Sequence, residues 1–147
     1  MTCVIGTTRF ICADRRIEED GAVSSLVKVA QNGWLIAAAA GLASATLAVK
    51  RAVRAGACNV DDLLPLVDRD SYAIVLTLDG KLHCLSEGAV WPVQGPVVAL
   101  GTGADLALGY MHGAGVFNAR VAREAQRFVA KRRADCGGGC DVRSFDK

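Results

Sequence analysis

The chain has 147 residues, of which 52% are hydrophobic and 22% charged, and its 17 basic and 15 acidic side chains leave a net charge of +2. Such a composition is that of a globular chain, long enough for one domain (residues 1–147) that buries roughly two thirds of its unfolded surface. The charge balance excludes a strongly nucleic-acid-binding or membrane-surface protein, so neither partner is expected.

The longest apolar run, Trp34 to Ala43, is about half the length of a bilayer span and reads as a buried strand entering a helix. The first residues, Met1-Thr2-Cys3-Val4, show no basic region followed by an apolar stretch and a cleavage site. The expected location is the cytoplasm.

Residues 2–6 and 10–14 flank Thr7-Thr8-Arg9 and predict a tight antiparallel hairpin. If the turn centres on Thr8, positions 2 and 14 pair as 6 and 10 do, which sets Thr2 opposite Asp14 at the open end. A polar stretch from Arg15 to Ser25 leads to Leu26-Val27-Lys28-Val29, read as a short strand with one lysine among apolar residues. Asn32-Gly33 marks a hairpin turn, and Trp34 to Ala40 follows as a strand apolar enough to be buried on both faces.

Gly41 marks the junction to an amphipathic helix, Ser44 to Ala55, in which Leu47, Val49 and Val53 recur among alanines and basic residues. Asp61 to Val67 allows a short helical segment interrupted at Pro65. Tyr72 to Leu78, Asp79-Gly80 and Lys81 to Leu85 form the clearest hairpin, and Val97 to Leu100 is a further strand. Gly101-Thr102-Gly103 opens a helix from Ala104 to His112, a second runs from Asn118, its cap, to Arg133, and Cys140 to Phe145 is a last strand. Strands, helical segments, strands and helices in segregated runs indicate an α+β fold, with two packed sheets covered by helices on both outer faces.

Several conspicuous residues have ordinary readings. Arg120, Arg123, Arg127, Lys131, Arg132 and Arg133 fall largely at helical spacing, as on a solvated face. Of the cysteines at 3, 12, 58, 84, 136 and 140, Cys3 and Cys12 lie in strand-like apolar runs, which favours buried thiols over a disulfide framework. Cys136 and Cys140, with three glycines between them, are one pair without a second pair at zinc-ligand spacing, so no metal is expected. His83 and His112 lie in a strand-like and a helix-like segment, where packing or surface roles come first. No cofactor motif is present.

Taken together, a threonine that becomes terminal on loss of Met1, the stretch Ala13-Asp14-Arg15-Arg16, Lys28 within Leu-Val-Lys-Val, Ala40-Gly41-Leu42-Ala43-Ser44 after an apolar strand, and Ala99-Leu100-Gly101-Thr102-Gly103 before a helix resemble the proteasome β subunits and HslV-type threonine peptidases. The resemblance implies an N-terminal nucleophile hydrolase fold, a four-layer αββα sandwich of two antiparallel sheets. It also implies an endopeptidase of stacked homo-oligomeric rings that acts on peptides or unfolded polypeptides, with an ATPase unfoldase as a possible partner. Departures are visible: the first hairpin and the segment between the first two helices are short, Thr102 stands where the family usually has serine, and Asp135 is followed by Cys136 and glycines where the family often has a serine.

The chemistry gives each matched position a reason. A threonine hydroxyl needs a base to remove its proton, and a free α-amine on the same residue, titrating at roughly 7.7–8.0 in model peptides, serves as one. Lys28 would favour the neutral amine by repulsion between cations, and Asp14 would pair with Lys28 and orient it toward the Thr2 hydroxyl. The Gly41 N–H would stabilise the oxyanion, since only glycine lets substrate approach the main chain so closely. Thr102 would hold the amine or a water, and Asp135 would orient that hydroxyl. An alternative within the same fold is a catalytically silent ring subunit that retains Met1. A small-amide hydrolase of related chemistry ranks below both.

Overall fold

The computed structural model describes residues 2–19 and 21–145. The chain starts with β1 (Cys3–Gly6) and β2 (Phe10–Asp14), followed by a ribbon of β3 (Arg16–Glu19) and β4 (Ala22–Ser25) within the polar stretch, which sequence reading left without strands. Next come β5 (Ala30–Gln31), β6 (Leu35–Gly41) and α1 (Ala43–Arg54). Two 3-10 turns, Val60–Asp62 and Leu64–Leu66, replace the short helical segment, the second with Pro65 in its first turn.

The second half holds β7 (Ser71–Thr77), β8 (Leu82–Ser86), β9 (Ala89–Pro92), β10 (Val98–Gly101), α2 (Ala104–Ala114), α3 (Ala119–Ala130) and β11 (Cys140–Ser144). β9 had no expectation. Its Trp91 and Pro92 are exposed at the end of a sheet, so the alternation that betrays a half-buried strand is missing. The cap expected for α3 is present: Asn118 accepts from Val121 N–H at 2.9 Å.

Two antiparallel sheets carry the fold, one ordered β10-β1-β2-β11 and one β5-β6-β7-β8-β9. Side-chain alternation sorts the core. Cys3, Ile5, Phe10 and Cys12 face Ala107 and Met111 of α2 and Val121, Ala125 and Val129 of α3. Their neighbours Val4, Ile11 and Ala13 face Ile36, Ala38, Ala40, Ile74 and Leu76 of the other sheet. On that sheet's far side, Leu35, Ala37, Ala39, Ala73 and Val75 meet Val49 and Val53 of α1. Residues 35–40 are therefore buried on both faces, as the unbroken apolar run predicts. Each Ile, Leu or Val so placed contributes roughly 1.5–3 kcal/mol of transfer free energy, and the alanines of β6 let α1 lie close to the sheet.

Two expectations near the N-terminus need correction. The first hairpin pairs Val4 with Ala13, Ile5 with Cys12 and Gly6 with Ile11, one residue away from the predicted register. The turn closes with Thr7 N–H donating to Phe10 at 2.9 Å, which leaves two loop residues, Thr8 and Arg9, instead of a turn centred on Thr8. Continued outward, this register sets Asp14 opposite Cys3 rather than Thr2. The second correction concerns Leu26–Val29, which pairs with no strand and is an extended connection into β5. A short apolar run is compatible with either state, and only a hydrogen-bonding neighbour makes it a strand.

Candidate active site

Thr2 and Asp14 meet despite the shifted register. The Asp14 carboxylate bends around the end of β2, and its Oδ1 accepts the Thr2 hydroxyl at 2.6 Å and the Cys3 N–H at 3.0 Å. Lys28 Nζ donates to the same Oδ1 at 2.8 Å and also to Thr2 Oγ1. Thr2, Asp14 and Lys28 are 3%, 1% and 2% exposed, so this triangle of hydroxyl, carboxylate and ammonium lies almost wholly out of water. Isolated charges at that depth would cost several kcal/mol each, and mutual hydrogen bonding is what makes their burial tolerable.

Each corner is fixed by backbone. The second Asp14 oxygen, Oδ2, accepts the Gly137 N–H at 3.0 Å, and Gly137 and Gly139 carbonyls accept from Arg15 N–H at 3.1 Å each. Gly137, Gly138 and Gly139 have φ of +130°, +72° and +85°, a left-handed run that residues with a Cβ rarely follow. Sequence reading weighed this stretch only as a metal spacer, although its three consecutive glycines signalled a special backbone path. The Lys28 segment is tied by Leu26 N–H to the Arg15 carbonyl at 2.8 Å and by Lys50 Nζ of α1 to the Val27 carbonyl at 2.7 Å. Burial, and then Arg54 nearby, lowers the Lys50 pKa from its ordinary value. No expectation singled out Lys50.

The glycines named from sequence occupy strained positions. Gly41 ends β6 opposite Ser71 at φ +106°, and a Cβ there would lie 2.2 Å from the Asp70 carbonyl oxygen. Gly101 has φ +97°, and a Cβ there would lie 1.9 Å from the Thr2 carbonyl oxygen, so the Gly101-Thr102-Gly103 turn rests directly on the first residues of β1.

Thr102 lies half-buried with Oγ1 3.5 Å from Cys136 Sγ. The Arg133 guanidinium, at 3.1 and 3.2 Å, and then the Thr102 hydroxyl hold the Asp135 carboxylate below its usual pKa. The six candidates thus fall into a direct-contact triad, Thr2, Asp14 and Lys28, a second pair, Thr102 and Asp135, and Gly41 at the mouth of α1. Met1, whose removal the resemblance requires, lies outside the described residues.

Two antiparallel sheets in this order, with a buried Thr-Asp-Lys cluster at the open end of the first hairpin, give the chain an α+β fold of the HslV and proteasome β type. Comparison with solved structures bears this out. Eukaryotic HslV from Trypanosoma brucei superposes with a TM-score of 0.72 and 16% identity over 99% of both chains. Thiobacillus denitrificans BPH in complex with epoxomicin gives 0.72 and 15% over 99% of both chains, and another BPH structure gives 0.73 and 14% over 99% of this chain and 97% of that one. No protein-family model and no curated protein matches the sequence. At such identity the likeness is one of fold.

Proposed function

We propose that the chain is a threonine-type endopeptidase subunit of a self-compartmentalising ring, with Thr2 as nucleophile after removal of Met1. The observation that carries this reading is Lys28 Nζ donating to both Thr2 Oγ1 and Asp14 Oδ1 in a buried site. A structural ion pair needs no third partner with a nucleophilic hydroxyl, whereas nucleophile activation does.

In this reading Thr2 Oγ1 attacks the scissile carbonyl carbon, and its proton passes to the freed Thr2 α-amine. Lys28, held by Asp14, offsets the negative charge that develops on Oγ1. The Gly41 N–H stabilises the oxyanion of the tetrahedral intermediate. The amine then delivers its proton to the leaving nitrogen, and water hydrolyses the acyl-enzyme by the same route in reverse. Thr102, oriented by Asp135, positions the amine or a water. No cofactor takes part.

Fold-level features support the rest of the proposal. Helices α2 and α3 outside one sheet and α1 outside the other are read as a four-layer αββα sandwich formed by residues 1–147 as one domain. Exposed Leu42, Leu47 and Val116, at 46%, 38% and 47%, are apolar side chains that ring neighbours would cover. Peptides or unfolded polypeptides are the proposed substrates, an ATPase unfoldase the proposed partner, and the cytoplasm the proposed location. Among the described residues no helix is long and apolar enough to cross a membrane.

Intact mass spectrometry after incubation with epoxomicin tests the proposal. Expected are loss of Met1 and one adduct per chain, absent from Thr2→Ala. Retained Met1 without adduct would overturn it in favour of a silent subunit of the same fold.

A further inference from the structure

On the outer side of the four-stranded sheet, a cavity of about 320 Å³ opens between α3 and the start of β11, lined by Arg123, Gln126, Arg127, Ala130, Gly137, Gly139 and Cys140. It is separate in composition from the Thr2 triad and contains three groups that point to a ligand. Gln126 is 4% exposed and donates Nε2 to the Cys3 carbonyl at 2.9 Å, while its buried Oε1 receives no hydrogen bond among the described residues. An acceptor left in that state costs about 1–3 kcal/mol.

Arg123 and Arg127, one turn apart on α3, bring two guanidinium groups to the rim, and neither forms an ion pair among the described residues. The third group is the half-buried Cys140 thiol, a free cysteine on the same sheet face as Cys12. The Cys12 thiol, and then Arg123 and Arg127, hold Cys140 below the usual thiol pKa against the opposing effect of burial and of Asp141. Cys12 itself is fully buried and pushed up. Thiolate character, partial exposure and flanking arginines are the conditions under which a cysteine reacts.

We propose that Cys140 is a thiol-modification site for small disulfides that carry carboxylates, with Arg123 and Arg127 holding the carboxylates beside the cavity. The Cys140 thiolate attacks one sulfur of the reagent, forming a Cys140–S–S–R bond as the reagent's own S–S bond breaks. The departing half leaves as a thiolate that takes up a proton, so the Cys140 sulfur is oxidised to the disulfide level and half of the reagent is reduced to a thiol. Gly137 and Gly139 have no side chains, which leaves room for the attached group beside Ala130.

Glutathione disulfide is the probe, used on the full chain with Cys58→Ser, because Cys58 is exposed and would react independently. Peptide mapping is expected to place one mixed disulfide at Cys140, lost in Cys140→Ser. Arg123→Ala with Arg127→Ala is expected to slow that reaction about tenfold, and to slow a neutral hydroxyethyl disulfide clearly less, by the loss of thiolate alone. Both arginines are exposed, so the rate comparison holds whether or not Cys140→Ser folds. No adduct at Cys140, or equal slowing of the anionic and neutral reagents, would overturn the proposal. The readout is independent of Thr2, so a chain that ignores epoxomicin still gives a decisive result.

Discussion

Lys28 Nζ and Asp14 Oδ1 lie 2.8 Å apart with both side chains about 98% buried, and the same ammonium touches the Thr2 hydroxyl. Neither charge has bulk water to fall back on, so each depends on the other and on the backbone donors around them.

That dependence predicts non-additive energetics. Lys28→Met or Asp14→Leu alone leaves a buried charge without its partner and should cost about 3 kcal/mol or more. The double variant should be less destabilised than the sum of the two, by 1 kcal/mol or more on the same order-of-magnitude scale. Chemical denaturation of the four-member cycle measures this, and additive losses would show that the two side chains do not act as a pair. Epoxomicin labelling is expected to vanish in all three variants.

Backbone geometry separates the glycines. Gly101→Ala would place a Cβ 1.9 Å from the Thr2 carbonyl oxygen, and Gly41→Ala one 2.2 Å from the Asp70 carbonyl oxygen. Backbone atoms cannot swing aside, so both variants should lose more than about 2 kcal/mol, with Gly101→Ala displacing Thr2 directly. Gly21→Ala, at φ +78° with nothing within 4 Å, carries only the conformational cost of roughly 1 kcal/mol. Melting temperatures of the three variants check the order.

Thr102→Ala removes the hydroxyl beside Cys136 and Asp135 without opening a large cavity. The expected outcome is a labelling rate reduced about tenfold or more with a melting temperature close to that of the unsubstituted chain. A labelling rate that does not change would remove Thr102 and Asp135 from the proposed machinery.

Asp141 gives a pH signature. The Arg15 guanidinium, at 2.6 and 2.8 Å, holds its carboxylate pKa below the ordinary value. A carboxylate depressed in the folded state stabilises the fold above its unfolded pKa of roughly 3.9, and that contribution disappears as pH falls through the folded pKa. Asp141→Asn should therefore lower stability by about 1 kcal/mol near neutrality, a modest value because Arg15 is 41% exposed. The two unfolding curves should converge in acid. A constant gap from pH 7 downward would assign the loss to packing.

The parts of the site legible in sequence were those carried by local pattern. Thr2, Asp14 and Lys28 stood out through the family resemblance, through the hairpin that set Asp14 near Thr2 and through one lysine among apolar residues, and Gly41 and Gly101 because each ended an apolar run. The hairpin itself was legible, but its register was not. Thr7-Thr8-Arg9 contains neither Asn-Gly nor Asp-Gly, and without such a dipeptide a one-residue shift of the turn is invisible. Thr2 and Asp14 still meet because a carboxylate at a strand end reaches a diagonal neighbour. The connection at 26–29 misled for a related reason: its apolar residues were real, whereas its missing partner strand was a property of the assembled sheets.

By itself the sequence determined the alternation that sorts β1 and β2 between two cores, the Asn118 cap of α3 and the Asp79-Gly80 turn, since these depend on neighbours a few positions away. Tertiary structure decided what holds the triad in place. Gly137 N–H reaches Asp14, and Gln126 reaches Cys3, each across 123 positions. Contacts of that span follow from how α3 and β11 close over the first hairpin, and no local periodicity encodes them.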